Sequence, residues 1–332
     1  MTIRITDNIH CLKMASIASY VRRYPIAALA GTSACGSALY GYSSYHVAAD
    51  KGRAWEHGSK FPIASATEAV RSRTTFPGSG FTKLTLEEAR MVNHNVKLLR
   101  FKLPEGDENS GLQPITSLLT RHTAEGSWIP TFRPYTPIDK DEPGHVSFLV
   151  KKYPNGKGSG HLHSLVPGDT LSVKPIHEFD YKPGQYSNLT IVAGGAGITP
   201  FVQVIRTVMN NPSDKTSISL VYSNSTEEDT LLKSEFDDLA SSQPDRFKVS
   251  YVATKVASPG DGTFYKGHIT RQIIEQALPA KSAWNSTKVL VCGPPPMLAA
   301  VAGAKGGFGW TQGSLGGMLK DIGLDSSQVQ KF

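Results

Sequence analysis

The spacing of apolar positions changes near residue 187. Beyond it, runs rich in Val, Ile and Leu at 189–193, 217–223, 247–253 and 288–292 alternate with stretches of helical period at 201–209, 227–241, 270–278 and 297–304. Apolar strands separated by amphipathic helices predict a parallel sheet covered on both faces. Before residue 187 the pattern is different. Segments 96–103, 145–153 and 170–174 read as strands. Segment 132–137 reads as extended chain, because its two prolines forbid a helix, and 161–165 as a short helical piece. Short strands, Gly/Pro turns and few helices predict an antiparallel β-barrel. The chain is therefore read as two folded domains, a β-barrel over 81–186 and an α/β parallel-sheet domain over 187–332.

The N-terminus follows neither pattern. Residues 1–23 carry Arg4, Lys13, Arg22 and Arg23 against the single acid Asp7, the basic, acid-poor character of a mitochondrial presequence. From 24 to 49 the only titratable side chains near neutrality are those of Cys35 and His46, alongside many Ala, Gly, Ser and Tyr residues. About 20 residues cross a bilayer core, so 1–50 is predicted to be a leader and single membrane anchor. Residues 51–80 read as a polar tether. Leader and anchor predict a mitochondrial membrane protein; that the membrane is the outer one, with a processed intermembrane-space form as a variant, is what the resemblance of the folded body to a known family implies.

Charge and cysteine content narrow the classes. The net charge is +7 and the pI near 9.2, which favours an acidic partner. Lysines and arginines are scattered among acids, which excludes a nucleic-acid-binding signature. Cys11, Cys35 and Cys292 lie too far apart for a disulfide framework or a zinc site, and no metal is predicted.

Candidate chemistry centres on Gly194-Gly195-Ala196-Gly197-Ile198-Thr199-Pro200, where an apolar strand breaks into glycines and restarts as a helix. Glycines permit a tight turn and close ligand approach, and Pro200 suits a first helical turn. The free N–H groups of such a helix start suit a pyrophosphate. Ligands of parallel sheets bind at the carboxyl ends of the strands. Asn224 and Cys292-Gly293-Pro294, with Met297 just after, fall at other such ends. In the first domain, Arg133-Pro134-Tyr135-Thr136 can pair a guanidinium with phosphate and lay an aromatic on a planar ring. Gly156-Lys157-Gly158-Ser159 can cradle phosphate with backbone N–H groups.

These motifs, with Lys151 and Tyr153, resemble the flavin- and nicotinamide-binding signatures of the ferredoxin–NADP reductase superfamily, and within it those of NADH–cytochrome b5 reductases. The resemblance implies that Arg133 and 156–159 hold the FAD phosphates, while Tyr135 and Thr136 contact the isoalloxazine ring. Lys151 and Tyr153 fall on the family's lysine and second tyrosine. Residues 194–200 would seat NADH, with Cys292 beside the nicotinamide and Thr199 sharing the catalytic site. Residues 222–229 would contact the adenosine half. The tail, 312–332, is similar to that of fungal mitochondrial members, with Phe332 docking the terminus.

Two positions depart from the family. The resemblance expects a threonine near the flavin after His94-Asn95, where this chain has Val96. NADH-preferring relatives commonly carry an acid after the third strand of the second domain, where this chain has Thr254-Lys255. The implied activity is electron transfer from NADH through FAD to cytochrome b5, an acidic haem protein. An NADPH-preferring enzyme, or a reductase of quinones or ascorbate-type radicals, is the nearest alternative. A membrane-tethered nucleotide-binding protein without turnover is a remote one.

Overall fold

The computed structural model describes residues 74–76, 80–105, 107–139, 142–257 and 263–332. The leader and anchor expected over 1–50, and nearly all of the tether, lie outside the described residues. Among the described residues, no helix is long and apolar enough to cross a membrane. The end of the expected tether is already docked. Thr75 and Phe76 donate their N–H groups to the carbonyls of Asn109 and Ser110 at 3.1 and 3.3 Å. The first domain thus gathers in residues ahead of Phe81.

That domain is a six-stranded antiparallel sheet: β1 (Thr82–Met91), β2 (Val96–Lys102), β3 (Thr116–His122), β4 (Thr131–Tyr135), β5 (His145–Lys151) and β6 (Thr170–His177). The spatial order is β4-β3-β6-β1-β2-β5. The expected barrel is not closed by hydrogen bonds, since β4 and β5 are free edges. Helix α1 (Lys157–Ser164) packs against both edge strands instead. Its buried Leu162, with Leu165 just after it, joins Leu84, Leu99, Leu118 and Val173 in the interior, where Phe101 and Phe148 meet edge to face at 5.8 Å. Strand β1 escaped the sequence reading because it is largely polar. Only Leu84 and Leu86 alternate inward before a register shift between Leu86 and Glu88.

The second domain is a parallel sheet: β7 (Asn188–Gly194), β8 (Ser217–Thr226), β9 (Phe247–Lys255), β10 (Phe264–Lys266), β11 (Thr287–Cys292) and β12 (Val329–Lys331). Its order is β10-β9-β8-β7-β11-β12. Central strand β7 is buried from Leu189 to Gly194, the near-continuous apolar run of a strand covered on both faces. Leu189, Ile191 and Ala193 face α2 (Thr199–Met209) and α3 (Lys233–Ser242), while Val192 faces α4 (Arg271–Ala277), α5 (Pro295–Ala302) and α6 (Gly317–Ile322). The short edge strands β10 and β12 went unread because three residues carry no periodicity.

Helix α3 is shorter than predicted. It begins at Lys233 after Leu232 in the left-handed region (φ 57°), leaving 227–231 as a loop. Two acids of that loop serve tertiary contacts: Glu227 Oε1 accepts from the Ala257 N–H at 2.8 Å, and Asp229 Oδ1 accepts from Asn95 Nδ2 at 3.4 Å. The α2 face of the core continues into the first domain through Val96, Ile115, Ile138 and Leu149, so the two sheets share one compact unit. The tail closes this core. Phe332 meets Phe201 and Phe179 edge to face at 5.3 and 6.4 Å.

Candidate functional site

The first half of the site lies where β4 and β5 meet α1. Pro134 is tolerated because β4 is an edge strand, where a missing N–H breaks no ladder. Arg133 runs over the N-terminal turn of α1. A Cβ at Gly158 would lie 2.8 Å from Arg133 Cγ and 3.4 Å from the Tyr135 hydroxyl. Glycine is therefore required for this close approach. Ser159 Oγ accepts from the Tyr153 N–H at 3.2 Å and donates to the Gly156 carbonyl at 3.3 Å, fixing the turn into the helix. Any Cβ at Gly156 would collide with that hydroxyl.

This turn fits the phosphates of FAD. Helix α1 has no side-chain N-cap and no acid in its first turn, so its first N–H groups are free. Among the described residues, exposed Arg133 donates only to the neighbouring Phe132 carbonyl, at 2.7 Å. Tyr135 lies deeper, and burial pushes its phenol up to about 12 against the pull of Arg133. Thr136 is buried, with its Oγ1 2.8 Å from Ser117 Oγ. Val96 has no hydroxyl and is buried in the core between the domains, where it packs rather than presenting a polar group.

The second half sits where the parallel sheet reverses direction. Chain order runs outward from β7 through β8, β9 and β10, then returns to β11 on the other side of β7. Such a reversal opens a crevice beyond the strand ends. Ala193 pairs with Cys292, and Gly194 with Ser223, so the glycine turn and the Cys-Gly-Pro segment lie side by side. Cβ atoms at Gly194 and Gly293 would each lie 2.6 Å from the Met297 side chain. Gly195 has φ 54° and faces open space. The buried Tyr222 holds this turn, its hydroxyl donating to the Gly195 carbonyl at 3.1 Å.

A cleft of about 350 Å³ opens there. Of the sequence-derived residues it is lined by Gly194, Gly195, Asn224, Pro294 and Met297 from the second domain, and by Lys151 and Tyr153 from the first. Thr254, the coenzyme-choice position, also lines it. Asn224 suits a ligand: its Nδ2 bonds Thr230 Oγ1 at 3.3 Å, while its buried Oδ1 has no hydrogen-bond partner among the described residues. Ala196, Gly197, Thr199, Pro200, Cys292 and Gly293 do not line the cleft. Thr199 donates to the Ala196 carbonyl at 3.0 Å, a bond that joins the turn to α2. Gly197 and Cys292 pack against each other beneath. Sequence reasoning missed His268, Ile269, Ala300, Val301 and Met318 in the cleft wall. They come from α5, α6 and the segment just before α4, and no motif marks them.

Electrostatics link the two halves. Burial raises the Tyr153 phenol, and proximity to Cys292 adds to the shift. Burial likewise pushes the Cys292 thiol up to about 12, with the Glu178 carboxylate adding to it. Cys292 is therefore a neutral thiol at physiological pH. A second link is Asp229, nearly buried on the β8–α3 loop. It accepts from Asn95 Nδ2 at 3.4 Å and Thr226 Oγ1 at 3.3 Å, and lies 3.7 Å from Lys151 Nζ.

The cradle on one sheet and the switch-point cleft on the other define a two-domain oxidoreductase that binds a flavin and a nicotinamide nucleotide. Residues 83–181 match the oxidoreductase FAD-binding domain and residues 191–303 the oxidoreductase NAD-binding domain. NADH-cytochrome b5 reductase 2 of Botryotinia fuckeliana is 43% identical over 255 residues, which cover 76% of this chain and 72% of that one. Its namesake from Pyricularia oryzae is 43% identical and covers 76% of each chain. The cytochrome b5 reductase domain of Ulva prolifera nitrate reductase superposes with a TM-score of 0.67 at 30% identity, covering 78% of this chain and all of that one. The chain belongs to the NADH–cytochrome b5 reductase family.

Proposed function

We propose that the protein is an FAD-dependent reductase that takes a hydride from NADH and passes electrons singly to cytochrome b5. One observation carries this reading. The nicotinamide cleft is walled by Lys151 and Tyr153 of the flavin-binding domain, so a coenzyme in it meets the flavin-side residues directly. FAD, when bound, supplies the hydride acceptor and splits two electrons into single transfers. The chain supplies binding and orientation. Arg133 and the α1 N-terminus would hold phosphate, and Tyr135 and Thr136 would contact the ring. The turn that opens with Gly194 and Gly195 would seat the pyrophosphate, and Lys151 contributes a cation to the same cleft. Neutral Cys292, packed beneath the cleft against Gly197, would support the nicotinamide position without having to move a proton. Hydride transfer depends on near-attack geometry, which the domain contact through Asp229 and the shared core would help to provide.

Anaerobic stopped-flow mixing with NADH and, separately, NADPH tests the reading. Bound flavin should bleach with NADH, and the reduced protein should then reduce cytochrome b5. No bleaching by either nucleotide would overturn it. Coenzyme choice is set at Thr254, which brings no negative charge to the cleft. NADH is the proposed donor, in keeping with the names of the relatives.

The basic stretch 1–23 and the run 24–49 support a mitochondrial outer-membrane anchor. Without the four basic and two acidic residues through Asp50, the body retains a charge of +5, suited to steering an acidic haem protein. Carbonate extraction of membranes from cells making the full chain should leave the uncleaved form in the pellet. Its complete release would reject the anchor.

A further inference from the structure

Glu178 lies on the segment that crosses from β6 to β7, and both domains contact it. Its Oε2 accepts from Ser117 Oγ at 3.1 Å, and Ser117 Oγ is in turn 2.8 Å from Thr136 Oγ1. Its Oε1 is 3.7 Å from the Nζ of Lys305, which follows α5. Its backbone carbonyl accepts from Gln330 Nε2 at 3.1 Å, which fixes the segment to the C-terminal strand. Carboxylate and ammonium are largely withdrawn from water, with side-chain exposures of 24% and 14%. Both charges are felt at the Cys292 sulfur. After burial, Glu178 pushes the thiol upward and Lys305 opposes it. The pair is thus tied through Ser117 to a hydroxyl assigned to the flavin side, and through Gln330, which pairs with Leu290, to the strand that ends at the thiol assigned to the nicotinamide side. None of Glu178, Lys305 or Ser117 belongs to either binding motif.

Hydride transfer moves charge across this region. The donor ring becomes a cation, and the acceptor ring gains negative charge. A fixed carboxylate nearby stabilises the first and opposes the second, and a fixed ammonium does the reverse. In a site screened from water such charges act strongly and need no reorganisation.

We propose that Glu178 and Lys305 are opposed charges that set the redox balance between nicotinamide and flavin. Glu178 favours bound NAD⁺ and a lower flavin potential, and Lys305 favours the reduced flavin. This rests on the reading that Thr136 and Cys292 flank the two rings. Ser117 fixes the carboxylate toward the flavin side through its bond to Thr136.

The test uses the full-length, flavin-loaded protein and two near-isosteric variants, Glu178→Gln and Lys305→Met. Flavin midpoint potential is measured by anaerobic dye-coupled titration, and Kd for NAD⁺ and NADH by calorimetry. Glu178→Gln should raise the potential and weaken NAD⁺ relative to NADH by roughly three- to tenfold. Lys305→Met should shift both quantities in the opposite direction. Shifts of the same sign in both variants would mark a packing defect and overturn the inference, as would unchanged values in both. Purified protein without any flavin would instead overturn the underlying reading of the site, and this inference with it.

Discussion

The main chain of Gly197 rests directly on that of Cys292: a Cβ added at residue 197 would lie 2.6 Å from the Cys292 carbonyl oxygen and 2.9 Å from the Gly293 Cα. Residue 197 ends the glycine turn and Cys292 ends β11, so this contact locks the two nicotinamide motifs into one crevice. Backbone cannot yield as a flexible side chain would. Gly197→Ala is therefore expected to cost about 1–3 kcal/mol by overpacking. The apparent KM for NADH should rise while flavin content per chain stays at the wild-type level. Measured KM and flavin absorbance check this, and an unchanged KM would mean that the motifs tolerate separation.

Among the described residues Arg133 has no hydrogen-bond partner beyond the Phe132 carbonyl, and it lies over an uncapped helix start. Arg133→Ala should weaken FAD by roughly 10- to 150-fold, the loss of about 1.5–3 kcal/mol for a hydrogen bond to a charged group. Thermal stability of the apoprotein should barely change, because the side chain is exposed. Flavin titration of the apoprotein measures this. Retention of full affinity would remove Arg133 from the phosphate site.

Thr254 lines the cleft with its Oγ1 donating to the Ser225 carbonyl at 2.8 Å. Thr254→Asp would add the negative charge that this position lacks and repel a 2′-phosphate. The ratio of kcat/KM for NADH over NADPH should increase about tenfold or more, the effect of ~1.4 kcal/mol of repulsion. An unchanged ratio would place the ribose elsewhere.

The Cys292 thiol, pushed up to about 12 by burial, is protonated across the physiological range. Only the thiolate reacts with alkylating agents, so at pH 8 its reactive fraction is about 10⁻⁴. Labelling by iodoacetamide should be roughly a thousandfold slower than for an ordinary exposed cysteine, and should rise about tenfold per pH unit. Peptide mapping separates Cys292 from Cys11 and Cys35. Fast labelling of Cys292 at pH 7 would contradict the neutral thiol. For the same reason, NADH-driven flavin reduction should show no ionisation of Cys292 between pH 6 and 9.

Much of the second domain was readable because buried parallel strands are apolar on both faces and announce themselves as runs. The strand at 188–194 and the helix at 199–209 need no partner to be recognised. The polar strand β1 and the short strands β10 and β12 were not readable, since their pairing comes from neighbours supplied by the fold. Helix α3 was overextended for a related reason. Glu227, Glu228 and Asp229 suit a helix start locally, yet Asp229 is held by Asn95 and Thr226, an interaction that residues 227–241 alone do not encode.

By itself the sequence determined the local chemistry: glycines where backbone must approach a nucleotide, Arg133 and Tyr135 on one extended edge, and an apolar period that separates the two sheet types. These follow from residue type and spacing, which act over a few positions. The tertiary structure alone decided that Lys151 and Tyr153 wall the nicotinamide cleft, that Thr199 is spent on closing a turn, and that Glu178 meets Lys305 between the domains. Those relationships join residues from different strands, helices and loops. Their energies exist only once the shared core has fixed the two sheets against each other, so no local pattern records them.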